Sequence, residues 1–228
     1  MAAKPTGPAS PRLSTRALLI IAAFAALGAL LLILIAPVTG LLAVLFPPAY
    51  AVAAGIHSVL PLLARRLVGF PWTTTIAFAL VGILAIGFTP LGVLIVIPLV
   101  ITGAGFDVTL LLLARRSEPR LRHFAVGALV SALLLFLVSL PVFSPRDLTP
   151  WIVLLALAGR IVGQLAAAGA AWAIGQRVLA AGILPAAAAA APPAAAPPAA
   201  APPAAAATTT RSQGRLGRRI RQSRSVSR

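Results

Sequence analysis

Few residues in this chain are able to do acid–base or ligand chemistry, and the ones that matter lie inside long apolar runs. The acids are Asp107, Glu118 and Asp147, the histidines are His57 and His123, and there is no cysteine. Only Asp107 is embedded in apolar sequence. No second carboxylate is therefore placed to share general acid–base work or to help cage a divalent cation. Two histidines without thiolates fall short of a zinc ligand set. Without cysteine there are no disulfides, and the redox compartment stays open. No phosphate-binding P-loop is present. The inventory predicts a protein that is not an enzyme and that has neither metal nor cofactor.

The polar residues inside apolar sequence are a different matter. Asp107 sits in the run from Pro90 to Arg116, where an ionisable group costs at least ~2.5 kcal/mol unless it faces protein. His57, Tyr50, Thr102, Arg160 and Gln164 are similarly surrounded by apolar neighbours. These residues need a bundle of helices to hold them.

The chain supplies one. Of its 228 residues 60% are hydrophobic and 10% charged, and the mean hydropathy is +1.03, values of an integral membrane protein. The apolar runs predict six transmembrane helices. The first covers 17–36 and is broken by Pro37-Val-Thr-Gly40, with Leu41 to Phe46 too short to span. The second runs from Pro47 to Ala64 and stops at Arg65-Arg66, and the third runs from Trp72 to Phe88. The fourth is the Asp107 run, kinked at Pro98. The fifth covers Phe124 to Phe143, and the sixth Trp151 to Gly175. Trp72, Trp151 and Trp172 fall where an interfacial belt is expected.

The positive charges orient this array. With a cytoplasmic N-terminus, the inside segments hold Lys4, Arg12, Arg16, Arg65, Arg66, Arg115, Arg116, Arg120, Arg122 and Arg177, and the outside loops hold Arg146 alone. Enrichment of Lys and Arg in cytoplasmic loops sets topology, so both termini are expected inside, in a multi-pass protein of the cell (plasma) membrane. The net charge of +16 is explained by orientation, not by nucleic-acid binding. Residues 1–16 form a basic cytoplasmic N-terminus, and 17–184 the six-helix domain. Residues 185–228 form a disordered Ala/Pro linker with Pro-Pro repeats and an arginine tail. The tail either holds anionic membrane lipid or is simply solvated.

Depth follows from counting back to each basic stop. His57 and Asp107 each precede theirs by eight residues, roughly 12 Å at helical rise. They either form an intramembrane polar pair or are satisfied separately by backbone and hydroxyl groups. Tyr50, Thr102, Arg160 and Gln164 fall higher, as a polar shelf in the outer half, with Gln164 one turn from Arg160 on the same face. Arg160 either serves a pocket or snorkels to the outer surface. In helix one, Ala22 and Ala26 form a small-xxx-small face of the kind that docks helices.

This layout resembles the substrate-binding S components of energy-coupling factor (ECF) transporters, and in particular the YkoE type, linked to the thiamine precursor hydroxymethylpyrimidine. The residues that carry the resemblance are Pro48-Ala-Tyr50, Gly103-Ala-Gly105-Phe-Asp107 and Arg160-Ile-Val-Gly163, together with the small-residue face of helix one and the short segment after it. The chain departs from that type in having Ala51 after Tyr50, where that type has an acid, and in a third helix without the acids that the type carries. The resemblance implies a substrate-binding domain over 17–184 for a vitamin or vitamin precursor, and an ABC importer energised by separate T and ATPase subunits. It implies that Ala22 and Ala26 meet the T component and that residues 37–46 cover the site from outside. The competing readings are a non-transporting membrane scaffold, whose basic tail recruits lipid or a partner, and an uncoupled small carrier.

Overall fold

The computed structural model describes residues 13–89, 91–114, 119–140 and 149–182. The arginine pair at 115–116, the loop at 141–148 and the tail beyond 182 lie outside the described residues.

Helix α1 spans Thr15–Leu45, with the Ser14 side chain accepting from the Ala17 N–H at its start. It passes straight through Pro37, which corrects the expected break and the separate segment at 37–46. A proline removes one helical hydrogen bond. In hydrocarbon, however, unwinding would strip several backbone groups of their only partners. Thr39 supports the continuation by donating its hydroxyl to the carbonyls of Ile35 and Ala36, both at 3.1 Å. A helix of 31 residues is about 46 Å long and exceeds the ~30 Å hydrocarbon core. Its last turns carry exposed Leu41, Val44 and Leu45.

The second span is discontinuous. It consists of α2 (Pro47–Ala53), a 3-10 turn at Ile56–Ser58, and α3 (Val59–Val68). Pro61 explains the position of the interruption, because its ring displaces the carbonyl four residues back, that of His57, and offers it no N–H. The helix also does not stop at the basic pair. Arg65 and Arg66 lie inside α3, which ends at Gly69 in the left-handed conformation (φ 71°).

Helix α4 covers Thr73–Ala85 and continues as a 3-10 turn to Phe88. A further 3-10 turn at Gly92–Ile95 leads into α5, Val96–Leu113. Pro98 thus lies at the start of α5 and bends nothing in its middle, again with a 3-10 turn just upstream. Helix α6 is Leu121–Ser139, and α7 is Pro150–Ala180 with proline in its first turn.

Five of these spans are long and apolar enough to cross a membrane, and Thr73–Phe88 is a shorter apolar one. The described residues form an all-α multi-pass membrane protein. The helices close into a ring in which α1 packs on α4, α4 on α5, α5 on α6, α6 on α7, and α7 on α2 and α3, which return to α1. Small residues such as Ala25, Ala64, Ala77, Ala128 and Ala171 are fully buried at these contacts. That suits a solvent in which close van der Waals packing, not hydrophobic expulsion, joins helices.

Candidate functional site

The buried polar groups separate into two clusters, one toward each end of the ring. The inner cluster is built on Asp107, whose side chain is completely buried. Its Oδ2 accepts the Thr75 backbone N–H at 2.8 Å and the Thr75 hydroxyl at 2.9 Å. Its Oδ1 lies 3.2 Å from Arg65 Nε, an ion-pair contact not aligned as a hydrogen bond. Thr75 is the third residue of α4, which has no side-chain cap of its own and starts from Trp72 in the left-handed conformation (φ 69°). Asp107 is therefore the N-terminal cap of α4, supplied from α5. Gly103, one turn earlier on α5, makes room for it, because a Cβ there would lie 2.8 Å from the Thr75 Cα.

Of the two arrangements open to His57 and Asp107, a pair or separate satisfaction, Asp107 has the second, with Thr75 and Arg65 as its partners. The depth count took Arg65 as the end of its helix, whereas α3 carries it inside the bundle and delivers it to Asp107. An aromatic series completes the inner half. Phe106, Phe124 and Trp172 meet edge to face at 5.2 and 5.1 Å, and the Arg66 guanidinium lies 4.2 Å above the Trp172 ring. Trp172 thus packs its half-buried ring against Phe124 and under Arg66.

The outer cluster joins the broken span to α7. Arg160 is only 3% exposed, so it does not snorkel. Its guanidinium carbon is 5.6 Å from the centre of the Tyr50 ring, within cation–π range, and the Tyr50 hydroxyl is also in reach. His57 lies within electrostatic range of Arg160 and retains partial accessibility at the 3-10 turn. Gln164 is 1% exposed, and neither its Nε2 nor its Oε1 has a hydrogen-bond partner. The same holds for Arg160 Nε and Ser58 Oγ. Buried polar groups in native proteins are normally satisfied, so a concentration of unsatisfied ones on two facing elements marks a place built to meet something polar.

Glycines bring those two elements together. A Cβ on Gly163 would lie 2.5 Å from the Val52 carbonyl oxygen, one on Gly159 2.7 Å from that of Pro48, and one on Gly55 2.4 Å from the Gly163 carbonyl carbon. The helices cross nearly backbone to backbone, which holds Arg160 beside Tyr50 with Gln164 one turn further along α7. The sequence reading left this crossing unnoticed. Its signal was the spacing of Gly159 and Gly163 around Arg160, with Gly55 next to a proline-induced break.

Thr102 is placed differently from its expected companions. It is buried, but its hydroxyl donates to the Pro98 carbonyl at 2.6 Å and its own carbonyl accepts from the Ser131 hydroxyl at 2.9 Å, which ties it to the α5–α6 side. Ala22 and Ala26 lie on the exposed face of α1, opposite the buried Ile21, Ala25 and Ala29. A groove of about 630 Å³ between α5 and α6 is lined by apolar residues such as Ile101, Val108, Leu112 and Leu134. It opens on exposed Val108 and Leu112 and offers no charged group, so it suits lipid chains and not the polar cluster.

Among solved structures, the chain is similar to one described as the crystal structure of an S-component of an ECF transporter. The superposition has a TM-score of 0.70 at 19% sequence identity and covers 78% of this chain and 91% of that one. At this identity the likeness is one of fold. No family model and no curated protein matches the chain. The described residues thus share the fold of that S-component structure.

Proposed function

We propose that the chain is the membrane-embedded substrate-binding subunit of an ECF-type importer for a vitamin or vitamin precursor, energised by separate T and ATPase subunits. The observation that carries this reading is the outer cluster, in which Arg160, beside Tyr50 and His57, and Gln164, one turn along α7, are buried with unsatisfied polar atoms. Its setting in an S-component fold supports the reading. Broken helices with polar residues at the break are a recurrent way for transporters to hold a solute away from both surfaces.

In this reading Arg160 and Gln164 hold the substrate, Tyr50 covers one face of it, and His57 borders the site. Thr102, with its hydroxyl already bonded, shapes the α5 wall. The inner cluster of Asp107, Arg65 and the aromatic series closes the cytoplasmic end. Ala22 and Ala26 present a smooth outward face on α1, free for the T component to pack against. The terminal turns of α1 lie near the outer end as an extension of that helix.

The experiment is mass spectrometry of small molecules released on denaturing gently purified protein. The expected result is one compound enriched over a control membrane protein, together with T and ATPase chains in a mild pull-down. Release of no compound, with partners captured through the C-terminal tail, would favour the scaffold reading instead.

A further inference from the structure

The outer cluster has a charge imbalance that narrows the chemistry of its ligand. Arg160 is a buried cation, and Asp107 is the only acid among the described residues. That acid already bonds Thr75 and pairs with Arg65 at the inner end. The groups beside Arg160 are Tyr50 and His57, and neither is a carboxylate. A charge taken out of water without a counter-charge is strongly unfavourable, more so at membrane depth. On the same helix face, one turn on, Gln164 offers both a free donor and a free acceptor.

We infer that Arg160 and Gln164 form a carboxylate site, with Arg160 pairing the acid of a small ligand and Gln164 reading an adjacent amide-like edge. This rests on the substrate-binding function proposed above. The guanidinium presents a planar fork of donors matched to a carboxylate. One guanidinium balances one negative charge. A phosphate monoester, at about −1.5 to −2, would leave excess negative charge in the bundle. A lactam, ureido or carboxamide group has a donor and an acceptor side by side and satisfies both ends of Gln164, and Ser58 Oγ is a further group free to bond. A ligand with a fixed cationic ring, as in thiamine, would place like charge against Arg160, and a neutral pyrimidine alcohol would leave that charge unbalanced. The cluster thus argues against the pyrimidine substrate that the family resemblance implies.

The test uses the full-length protein in detergent and a small-molecule cell extract separated by ion exchange into cationic, neutral and anionic fractions, with the melting midpoint as the readout. The anionic fraction alone is expected to raise the midpoint. The rise should survive phosphatase treatment of that fraction and vanish when its carboxylic acids are converted to methyl esters. Arg160→Gln should need at least tenfold more of the fraction for the same rise, and Arg160→Lys should fall between it and wild type. The esterification arm decides the matter even if Arg160→Gln folds poorly. Stabilisation by the neutral or cationic fraction, or loss of it after phosphatase, would overturn the carboxylate site and leave the substrate-binding function standing. If no fraction stabilises the protein, both fail.

Discussion

Asp107 caps a helix that is not its own. Its carboxylate accepts the Thr75 N–H at 2.8 Å and closes the first turn of α4 from across the α4–α5 interface, while Arg65 balances the charge at 3.2 Å. One side chain thereby joins α3, α4 and α5 at the inner end and leaves the outer end to the polar cluster.

The latch gives the first expectation. Asp107→Ala should destabilise the protein by about 3–5 kcal/mol, because it leaves Arg65 buried without a partner and α4 without a cap. Arg65→Met combined with Asp107→Leu should be less damaging than Asp107→Ala, since no charge then remains unpaired. Detergent-stability midpoints of the variants measure both. A double variant no more stable than the single one would mean that the lost cap, common to both, and not the unpaired Arg65 charge, accounts for the damage.

The glycine crossing between the broken span and α7 gives the second. Gly163→Ala puts a methyl group against the Val52 carbonyl, a backbone atom that cannot swing aside. Overpacking of this kind costs about 1–3 kcal/mol, and it should also reduce ligand binding by separating Arg160 from Tyr50. Gly40→Ala is the matched control. A Cβ there meets nothing within 4 Å, and replacing a mid-helix glycine should stabilise by up to ~1 kcal/mol. Equal midpoints for the two variants would contradict the close crossing.

The third concerns α1. Because Ala22 and Ala26 are exposed, Ala22→Leu with Ala26→Leu should leave melting and ligand binding unchanged. Bulk on that face should nevertheless abolish assembly with the T component and hence uptake. Co-purification of tagged T component with the double variant checks this, and undiminished capture would remove these alanines from the interface.

Orientation gives the fourth. The chain contains no cysteine, so single cysteines label cleanly. Thr149→Cys, just ahead of α7, should react with a membrane-impermeant maleimide in intact cells. Ala181→Cys, at the far end of the same helix, should react only after permeabilisation. The opposite pattern would invert the topology drawn from the arginines.

Much of this fold was legible because apolar length alone identifies spanning helices. What escaped was backbone behaviour at prolines. Pro37 was read as a break, yet the helix continues, since hydrocarbon leaves unwound backbone without partners. Pro61 was passed over, yet it interrupts the second span about one turn upstream, around His57. Asp107 was legible as a residue in need of a buried partner. The partner was missed because Arg65-Arg66 looked like a stop signal, although Gly69 just beyond is the stronger helix terminator. For the candidate site, the sequence identified Arg160 and Gln164 as neighbours on one face. The proximity of Arg160 to Tyr50 depends on a close backbone approach at Gly159 and Gly163 that helical spacing alone does not reveal.

The central claim is that a small molecule binds at Arg160, and native mass spectrometry of the intact protein tests it most directly. Wild-type protein released from mild detergent should carry a small-molecule adduct of defined mass. Arg160→Ala should insert and fold but lose that adduct, with binding weakened by about 2 kcal/mol or more, as when a charged hydrogen-bond donor is removed, which is roughly thirtyfold in affinity. An Arg160→Ala protein that retains the same adduct at the same occupancy would contradict the account.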